Sequence, residues 1–282
     1  MPHVPGIARA VVVVAVAGLA GVQTATAQQK PPDRATVLRT AADALGMVRW
    51  SDIGAGTTRL PGIDVVNTME FWANGTVDVG GKAVKTEYHA AIGYNPTAMR
   101  VELTAGGKRQ GPFQTVRDTF AWDESELGAG LAPGQGTATP AMGAVRERLL
   151  HLWTLPYGVV KAALAAGDKT TVAVEGGATV ITFPLTGALA GVTVKATLDS
   201  NSLITRVETR ADEAGLTTVT EYSNYADRAE VLTDIKSPGR IVRKQGTRTL
   251  MDIEVKMWET NNLYLVFPVP PNVKAAAVAN SR

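Results

Sequence analysis

A run of strict alternation near the C-terminus restricts the fold of this chain more than any other feature. Between Thr249 and Trp258, apolar side chains alternate with mostly charged ones, and the apolar set is Met251, Ile253, Val255 and Met257. A period of two is typical of a β-strand with one buried face and one solvated face. Such a strand belongs to an antiparallel sheet that is covered on one side only.

The preceding sequence repeats this pattern in short segments that are separated by turn signals. The main signals are Asn74-Gly75, Gly80-Gly81, Gly106-Gly107 and Gly176-Gly177. These dipeptides are signals for tight hairpins or for turns close to them, because each supplies residues that tolerate positive φ. Long helices do not alternate with the strands, so a parallel α/β sheet is not expected. The predicted fold class is mainly β (α+β): a bent antiparallel sheet or half-barrel, with an N-terminal helix and a kinked helical insert covering its concave face.

Both covering helices show start and stop signals. Asp33 is placed to cap the first helix, and Gly46 ends it. Its apolar stripe is Val37, Leu38, Ala41, Ala42 and Leu45. Thr139 and Pro140 predict the start of the second helix, which Pro156 should kink because proline lacks the N–H of an unbroken helix.

The two ends of the chain are expected to lie outside the folded domain. Residues 1–27 contain Arg9, an apolar run and a small-residue site, which predict a secretory signal peptide that is cleaved near Ala27. The apolar run is about half of the roughly 20 residues that span a bilayer, so the mature form should have no membrane span and should be periplasmic or secreted. A single half-barrel domain is predicted over 33–271, followed by a flexible tail over 272–282.

Composition excludes several function classes. The chain has no cysteine, so disulfides, thiolate catalysis and cysteine metal sites are not expected. The formal net charge of +2 becomes +1 when Arg9 is removed with the signal peptide (27 basic against 26 acidic residues). This balance gives no electrostatic footprint for nucleic acid.

The residues that carry chemistry in enzymes are not assembled in this sequence. After signal cleavage the only histidines are His89 and His151, without the spacing of a zinc site, and a satisfied interfacial role is the interpretation for each. Asp123, Glu124 and Glu126 follow a strand and are typical of a solvated face. Neither a nucleophile motif nor a phosphate-binding loop is present. The prediction is therefore a protein that is not an enzyme, with no catalytic residue, no metal and no cofactor.

The glycine-rich segment 126–139 interrupts the strands. Its composition is typical of either a mobile lid or a disordered loop.

Three stretches together resemble an exported bacterial domain that is often found ahead of a metallo-β-lactamase-type hydrolase domain. The stretches are Ala41–Gly46, His151–Gly158 and Glu221–Tyr225, the last followed by Pro238, Ile241, Gln245 and Gly246. In shape that domain is similar to the half-barrel of the LolA/LolB lipoprotein carriers. The hydrolase part of such fusions has an H-x-H-x-D-H zinc cluster, and this sequence contains none. The resemblance therefore implies a fold and no catalytic residue.

The resemblance implies an apolar space of the kind that carriers use for acyl chains. The expected function is an exported, non-enzymatic module that binds a hydrophobic small molecule, such as a lipid, or a lipoprotein. The predicted ligand-binding residues are Trp153, Tyr157, Met251, Ile253, Val255 and Met257. The alternative is a scaffold or accessory domain that docks an exported partner, such as a hydrolase, with its concave space filled by its own helix. An open cavity near Trp153, Tyr157 and Met257 would favour the carrier, and a packed core there would favour the scaffold.

Overall fold

The computed structural model of the protein describes Met1 and residues 32–48, 66–211, 217–231 and 233–280. The described residues from 32 onward cluster as one compact unit. Apart from Met1, the predicted signal peptide lies outside the described residues.

Helices and strands account for most of the described chain. The helices are α1 (Arg34–Ala44), α2 (Val145–Thr154), α3 (Pro156–Ala165) and α4 (Pro271–Asn280). The strands are β1 (Thr68–Val79), β2 (Lys82–Tyr94), β3 (Thr97–Ala105), β4 (Lys108–Arg109), β5 (Phe113–Arg117), β6 (Phe120–Glu124), β7 (Ala138–Pro140), β8 (Thr171–Glu175), β9 (Ala178–Pro184), β10 (Val192–Leu198), β11 (Ile204–Ala211), β12 (Thr217–Ser223), β13 (Ala226–Asp227), β14 (Lys236–Ser237), β15 (Arg240–Gln245) and β16 (Arg248–Thr260). Short 3₁₀ helices occupy Met142–Ala144, Gly167–Lys169 and Gly187–Leu189. None of the described helices combines the length and apolar character that are required to cross a bilayer.

Fourteen of the described strands form one antiparallel sheet. Their order is β7-β6-β5-β3-β2-β1-β16-β15-β12-β11-β10-β9-β8, and β4 pairs with β3. The end strands β7 and β8 do not pair with each other in the described chain, so the sheet is open. β13 and β14 form a separate small ribbon. The predicted mainly β fold with an open antiparallel sheet is confirmed.

The sheet is strongly bent around α2. In the strand order, β5 and β10 are eight steps apart, which in a flat sheet would separate them by roughly 38 Å at about 4.8 Å per step. However, Arg148 of α2 donates to the Thr115 carbonyl of β5 at 2.9 Å, while Arg146 of the same helix donates to the Ala190 carbonyl just before β10 at 3.2 Å. Both regions can contact one helix only if the sheet curls around it.

Helix α1 begins and ends where the sequence predicts. The Asp33 carboxylate accepts a hydrogen bond from the Thr36 amide at 2.8 Å and caps the first turn. Leu38, Ala41, Ala42 and Leu45 are buried against the main core. Gly46 has φ +74°, and a side chain there would overlap the backbone of Asp234 and Ile235. The helix therefore packs its apolar stripe against the main core, and its end lies close to Asp234 and Ile235.

The helical insert has the predicted break but not the predicted start. Helix α2 ends at Thr154 and α3 begins at Pro156, which confirms the kink. Thr139 and Pro140 do not cap α2, because they belong to β7 and pair with Asp123 and Trp122 of β6. The edge of β6 accepts this short segment as a further strand, so α2 starts only at Val145.

The turn predicted at Asn74-Gly75 is wrong. β1 continues through both residues to Val79. A Cβ on Gly75 would lie 2.1 Å from the Asp252 carbonyl oxygen and 2.6 Å from the Ile253 Cα of β16. Glycine is needed here because two strand backbones approach closely, not because the chain reverses.

The segment 126–139 adopts a defined loop that is held by hydrogen bonds. The Glu124 carboxylate accepts from Trp122 Nε1 at 2.6 Å and from the Gly128 amide at 3.0 Å. The Ser125 amide donates to the Thr137 carbonyl at 3.0 Å. Glu124 is buried, so its predicted place on a solvated face is wrong. The indole and the loop amide replace the water that this carboxylate gives up.

The C-terminal segment forms a helix where a flexible tail was predicted. Helix α4 starts at Pro271, a residue that suits the first helical position. Val273 is fully buried with Trp122, Ala138 and Val269 in a small second core. The prediction of a flexible tail did not take this contact into account.

Candidate functional site

The core on the concave face occupies the space that was predicted to hold a ligand. Met251, Ile253 and Val255 of β16 are buried among the side chains of the main core. Helices α2 and α3 contribute Leu152, Leu155, Val159 and Val160 to the same core. The central part of the concave face is therefore packed by the chain itself.

Tyr157 also belongs to this packed region. Pro156 starts α3 and directs Tyr157 inward, where it is fully buried. Its hydroxyl donates to the Lys236 carbonyl at 2.5 Å, and its ring centroid lies 5.7 Å from that of Trp258. Burial raises the pKa of the Tyr157 hydroxyl far above its usual range. Tyr157 thus fixes α3 to the β14 segment and offers no surface to a ligand.

The structure does not place Met257 on the concave face with the other three residues of its strand. Trp72 of β1 pairs with Met257, but the next residue, Ala73, pairs with Val255, so Lys256 has no partner in β1. This β-bulge reverses which face the following side chains occupy. Trp258 is consequently buried, and its ring stacks on Phe71 at 4.7 Å. Met257 lies opposite Trp72, whose ring stacks on His89 at 4.7 Å on the outer face.

Of the predicted ligand-binding residues, Trp153 lines an open cleft. The cleft has a volume of about 340 Å³ and lies beside α2 and α3. This volume is at the lower end of the range of about 300–1,000 Å³ that small-molecule sites occupy. Trp153 is partly buried, and its ring lies 5.7 Å from that of Tyr94. We call this space the helix cleft.

The walls of the helix cleft are mostly apolar. One wall comes from α2 and α3, and the other comes from the connection between β9 and β10. The apolar lining is Leu149, Trp153, Ala162, Ala165, Ala166, Pro184, Leu185, Ala188 and Leu189. Thr97, Asp118, Thr119 and Thr186 supply polar groups. An apolar space with a few polar groups can hold an apolar body and orient one polar end.

One cation lies near the cleft on α3. Lys161 Nζ is 4.9 Å from the centroid of the Tyr94 ring. Burial lowers the pKa of the Lys161 ammonium to about 8. The Lys161 ammonium therefore loses its proton at a lower pH than an exposed lysine does.

A second pocket, of about 360 Å³, lies on the outer face of the sheet. His89 lies there between two carboxylates, with Nε2 at 3.2 Å from Glu70 and Nδ1 at 3.9 Å from Glu102. The hydrogen bond from His89 is the main cause that lowers the pKa of Glu70, and Asn262 adds to it with a bond of 2.6 Å. Arg100 lies 3.8 Å from Glu124 at the same pocket.

Apolar side chains surround this outer pocket. Leu127, Leu131, Tyr264 and Val266 line it and are exposed. No group of three or more histidine, aspartate or glutamate side chains in the described ranges is arranged to hold a metal ion. The polar residues of this pocket instead contact one another, with His89 between Glu70 and Glu102 and Arg100 near Glu124.

Sequence reasoning missed one wall of the helix cleft. Leu185 and Leu189 come from the turn between β9 and β10, which is far from α2 in sequence. Only the curl of the sheet brings this turn to Trp153. The stretch from Pro184 to Leu189 carries a local signal, since two leucines beside a proline and a glycine are unusual in a solvated turn.

Comparisons with known proteins give distant likenesses in fold. No family model matches the chain, and no curated protein matches it in sequence. The structure is similar to a LolA superfamily protein from Nitrosomonas europaea, with 10% sequence identity, a TM-score of 0.45 and coverage of 81% of this chain and 94% of that chain. It is also similar to a putative outer membrane lipoprotein-sorting protein domain from Vibrio parahaemolyticus, with 9% identity, a TM-score of 0.46 and coverage of 86% and 97%, respectively.

Proposed function

We propose that this protein is an exported, non-enzymatic module that binds a hydrophobic ligand in the helix cleft. The observation that carries the proposal is an apolar cleft of about 340 Å³ beside α2 and α3, with Trp153 in its lining. Each methylene that a ligand buries there contributes about 0.8 kcal/mol. A lipid tail, free or attached to a lipoprotein, has the chemistry that such a cleft selects. Export is proposed from residues 1–27, which have the features of a signal peptide.

The site proposed here is displaced from the one predicted on β16. Met251, Ile253 and Val255 are buried in the main core, while the cleft is lined by residues of α2, α3 and the turn between β9 and β10. Trp153 is part of both the site predicted from the sequence and the site proposed here. A ligand in the helix cleft would contact α2, α3 and the turn between β9 and β10.

An uncharged fluorescent probe, N-phenyl-1-naphthylamine, tests the proposal. We expect saturable fluorescence enhancement with the unmutated protein. Ala165 is exposed and lines the cleft, so Ala165→Trp should fill the space without disturbing the core and weaken binding by about tenfold or more. Ala275 is an exposed alanine of α4, and Ala275→Trp is the matched control that should bind normally. Equal binding by both variants, or no binding by the unmutated protein, would contradict the proposal.

A second function is favoured by the outer pocket. Its exposed Leu127, Leu131, Tyr264 and Val266 form an apolar rim around Glu70 and the other charged groups. Exposed apolar patches with polar surroundings often mark protein interfaces. The alternative is therefore an accessory domain that docks an exported protein, such as a hydrolase, through this face. In that case the unmutated protein takes up no probe, and Tyr264→Ser weakens the complex with a purified candidate partner.

A further inference from the structure

Arg146 lies at one end of the helix cleft. It is on the same side of α2 as Leu149 and Trp153, which line the cleft, because residues three and seven positions apart share a helix face. Its Nη1 donates to the carbonyls of Ala188 and Ala190, at 3.4 and 3.2 Å, and Ala188 lines the opposite wall. The guanidinium therefore joins the two walls of the cleft at this end.

The bonds of Arg146 leave half of its guanidinium available to a ligand. Nη1 donates to both carbonyls, whereas Nε and Nη2 donate to no acceptor among the described residues. The side chain is exposed, and in the described part of the chain it forms no ion pair with a carboxylate. The N–H groups of Nε and Nη2 form a planar fork that matches two oxygens of a carboxylate or phosphate. The two carbonyls thus position a positive fork beside an apolar cleft.

The other charged groups around the cleft favour an anionic ligand over a cationic one. Asp118 is acidic and belongs to the lining, but Arg117 Nε lies 3.6 Å from its carboxylate and offsets its charge. Asp118 also comes from the turn between β5 and β6, whereas Arg146 is bonded to the connection before β10, on the other side of the curled sheet. Lys161 on α3 adds positive charge, because burial lowers the pKa of its ammonium only to about 8 and it stays protonated at neutral pH.

We propose that the helix cleft binds an anionic amphiphile, with its apolar chain along Leu149 and Trp153 and its carboxylate or phosphate head on Arg146. The seven residues from Arg146 to Trp153 rise by about 10 Å along α2, so a medium-length alkyl chain spans this distance. A neutral head leaves the guanidinium to water and gains only the apolar contacts, and the positive charges repel a cationic head.

This inference rests on the function proposed for the helix cleft and narrows its ligand from any hydrophobic molecule to an acidic lipid. Arg146 is the specificity-determining residue, because it distinguishes head groups while the cleft walls accept the chain. Fatty acids and lipid phosphates share the required chemistry, since the fork of an arginine binds both heads. The two sources differ in the geometry and charge of the head, which the experiment compares directly.

Displacement of N-phenyl-1-naphthylamine tests the proposal with four amphiphiles of equal chain length: decanoate, decyl phosphate, decanol and decylamine. Below their micelle concentrations and at constant ionic strength, at least one anion should bind about tenfold or more tightly than decanol, and decylamine should bind most weakly. Tighter decanoate binding identifies fatty acids as the ligand class, and tighter decyl phosphate binding identifies lipid phosphates. Decanol binding as tightly as both anions, or decylamine binding most tightly, would overturn the proposal.

Variants assign the preference to Arg146. Arg146→Gln removes the charge and should raise the Kd of the preferred anion by about tenfold or more relative to that of decanol. Arg146→Lys keeps the charge without the fork and should retain part of the preference. Arg210 is exposed on β11, so Arg210→Gln is the matched control and should bind all four amphiphiles as the unmutated protein does. A folded Arg146→Gln that keeps the full preference for anions would refute the proposal.

The experiment also separates this inference from the function on which it rests. If neither the probe nor any amphiphile binds to the unmutated protein, the cleft holds no hydrophobic ligand and both proposals are refuted. If the probe and decanol bind, and Ala165→Trp weakens both, but an anionic head brings no gain, the hydrophobic site stands and only the anionic head is refuted.

Discussion

Lys256 determines which residues of β16 face the core. Up to Val255 the inward positions follow the period of two, and Met251, Ile253 and Val255 are buried. Lys256 has no partner in β1, so the alternation of inward and outward side chains shifts by one residue after it. Trp258 therefore faces the core instead of Met257. Lys256 is the extra residue of the bulge, and its side chain is exposed at the surface. The large indole thereby reaches Phe71 and Tyr157 in the core.

The first prediction separates the two faces of this strand. Ile253→Asp buries a carboxylate at a position with 0% exposure, and should cost several kcal/mol (on the order of 3 or more) or prevent folding. Met257→Asp should cost less than about 1 kcal/mol, because the side chain lies on the outer face. It should also leave probe uptake by the helix cleft unchanged. Urea denaturation measures the free energies of unfolding.

Glu254→Ala provides the control for this comparison. Glu254 is exposed on β16, so its loss should change stability by no more than about 0.5 kcal/mol. If Met257→Asp is as damaging as Ile253→Asp, Met257 belongs to the core and the bulge does not reverse the strand.

At the level of single residues, burial followed from sequence where the period was regular and failed where a bulge intervened. Nothing in the letters from Val255 to Trp258 identifies Lys256 as the extra residue, because alternation continues through it. His151 shows a different limit. Its position on a helix was predicted, but its Nε2 is buried without a hydrogen-bond partner among the described residues, and its ring centroid lies 6.4 Å from that of Tyr88 on β2, a contact that forms only in the fold.

Among the elements, β1 shows how one dipeptide can have two meanings. Asn-Gly between apolar runs is a strong hairpin signal, and at Asn74-Gly75 that signal was misleading. The correct reason for the glycine is the β16 backbone, with which Gly75 pairs at Ile253. Sequence alone cannot distinguish a glycine that turns the chain from one that admits a neighbouring strand. The true turn of this hairpin lies at Gly80-Gly81, where both residues have positive φ.

The second prediction concerns this contact between strands. Gly75→Ala should destabilise the protein by roughly 1–3 kcal/mol or more, because the new methyl group meets backbone atoms of β16 that cannot move independently. Gly143→Ala is the control, since a Cβ there meets nothing within 4 Å, and it should change stability by less than about 0.5 kcal/mol. Thermal unfolding under identical conditions compares them. A Gly75→Ala variant as stable as Gly143→Ala would contradict the close approach.

Helix α4 shows that the composition of a segment does not always predict its secondary structure. Three prolines before Asn272 and a run of alanines gave a low expectation of structure. In the fold, Val273 fills a space beside Trp122, and Asn272 donates to the Ala138 carbonyl at 2.7 Å. Tertiary contacts of two residues thus stabilise a helix that its own sequence pattern did not predict.

At the scale of the whole molecule, the antiparallel sheet and its covering helices were predictable, but the filling of the concave face was not. Alternation and turn signals define strands, and apolar stripes define the helices that cover them. How closely those helices approach the sheet depends on side-chain packing across strands far apart in sequence. The packed centre therefore moved the candidate site from β16 to the edge of α2 and α3.

Two arginines of helix α2 bind it to the two sides of the curled sheet. The hydrogen bonds of Arg148 and Arg146 differ in length and burial. Arg148 is mostly buried and reaches three groups: the Thr115 carbonyl at 2.9 Å, the Trp122 carbonyl at 2.8 Å and the Asp123 carboxylate at 2.6 Å. Arg146 is exposed, and its longer bonds to Ala188 and Ala190 are 3.4 and 3.2 Å. The curl should therefore depend on Arg148 much more than on Arg146.

The third prediction tests this difference. Arg148→Met leaves the Asp123 carboxylate and two carbonyls without their donor, so it should lower the free energy of unfolding by roughly 2–4 kcal/mol. Arg146→Met removes exposed bonds in water and should cost less than about 1 kcal/mol. Amide hydrogen exchange then locates the change: protection should fall in β5 and β6 of Arg148→Met while it persists in β1 and β16. Uniform loss of protection across the sheet, or equal destabilisation by both variants, would show that Arg148 does not hold this side of the sheet to α2.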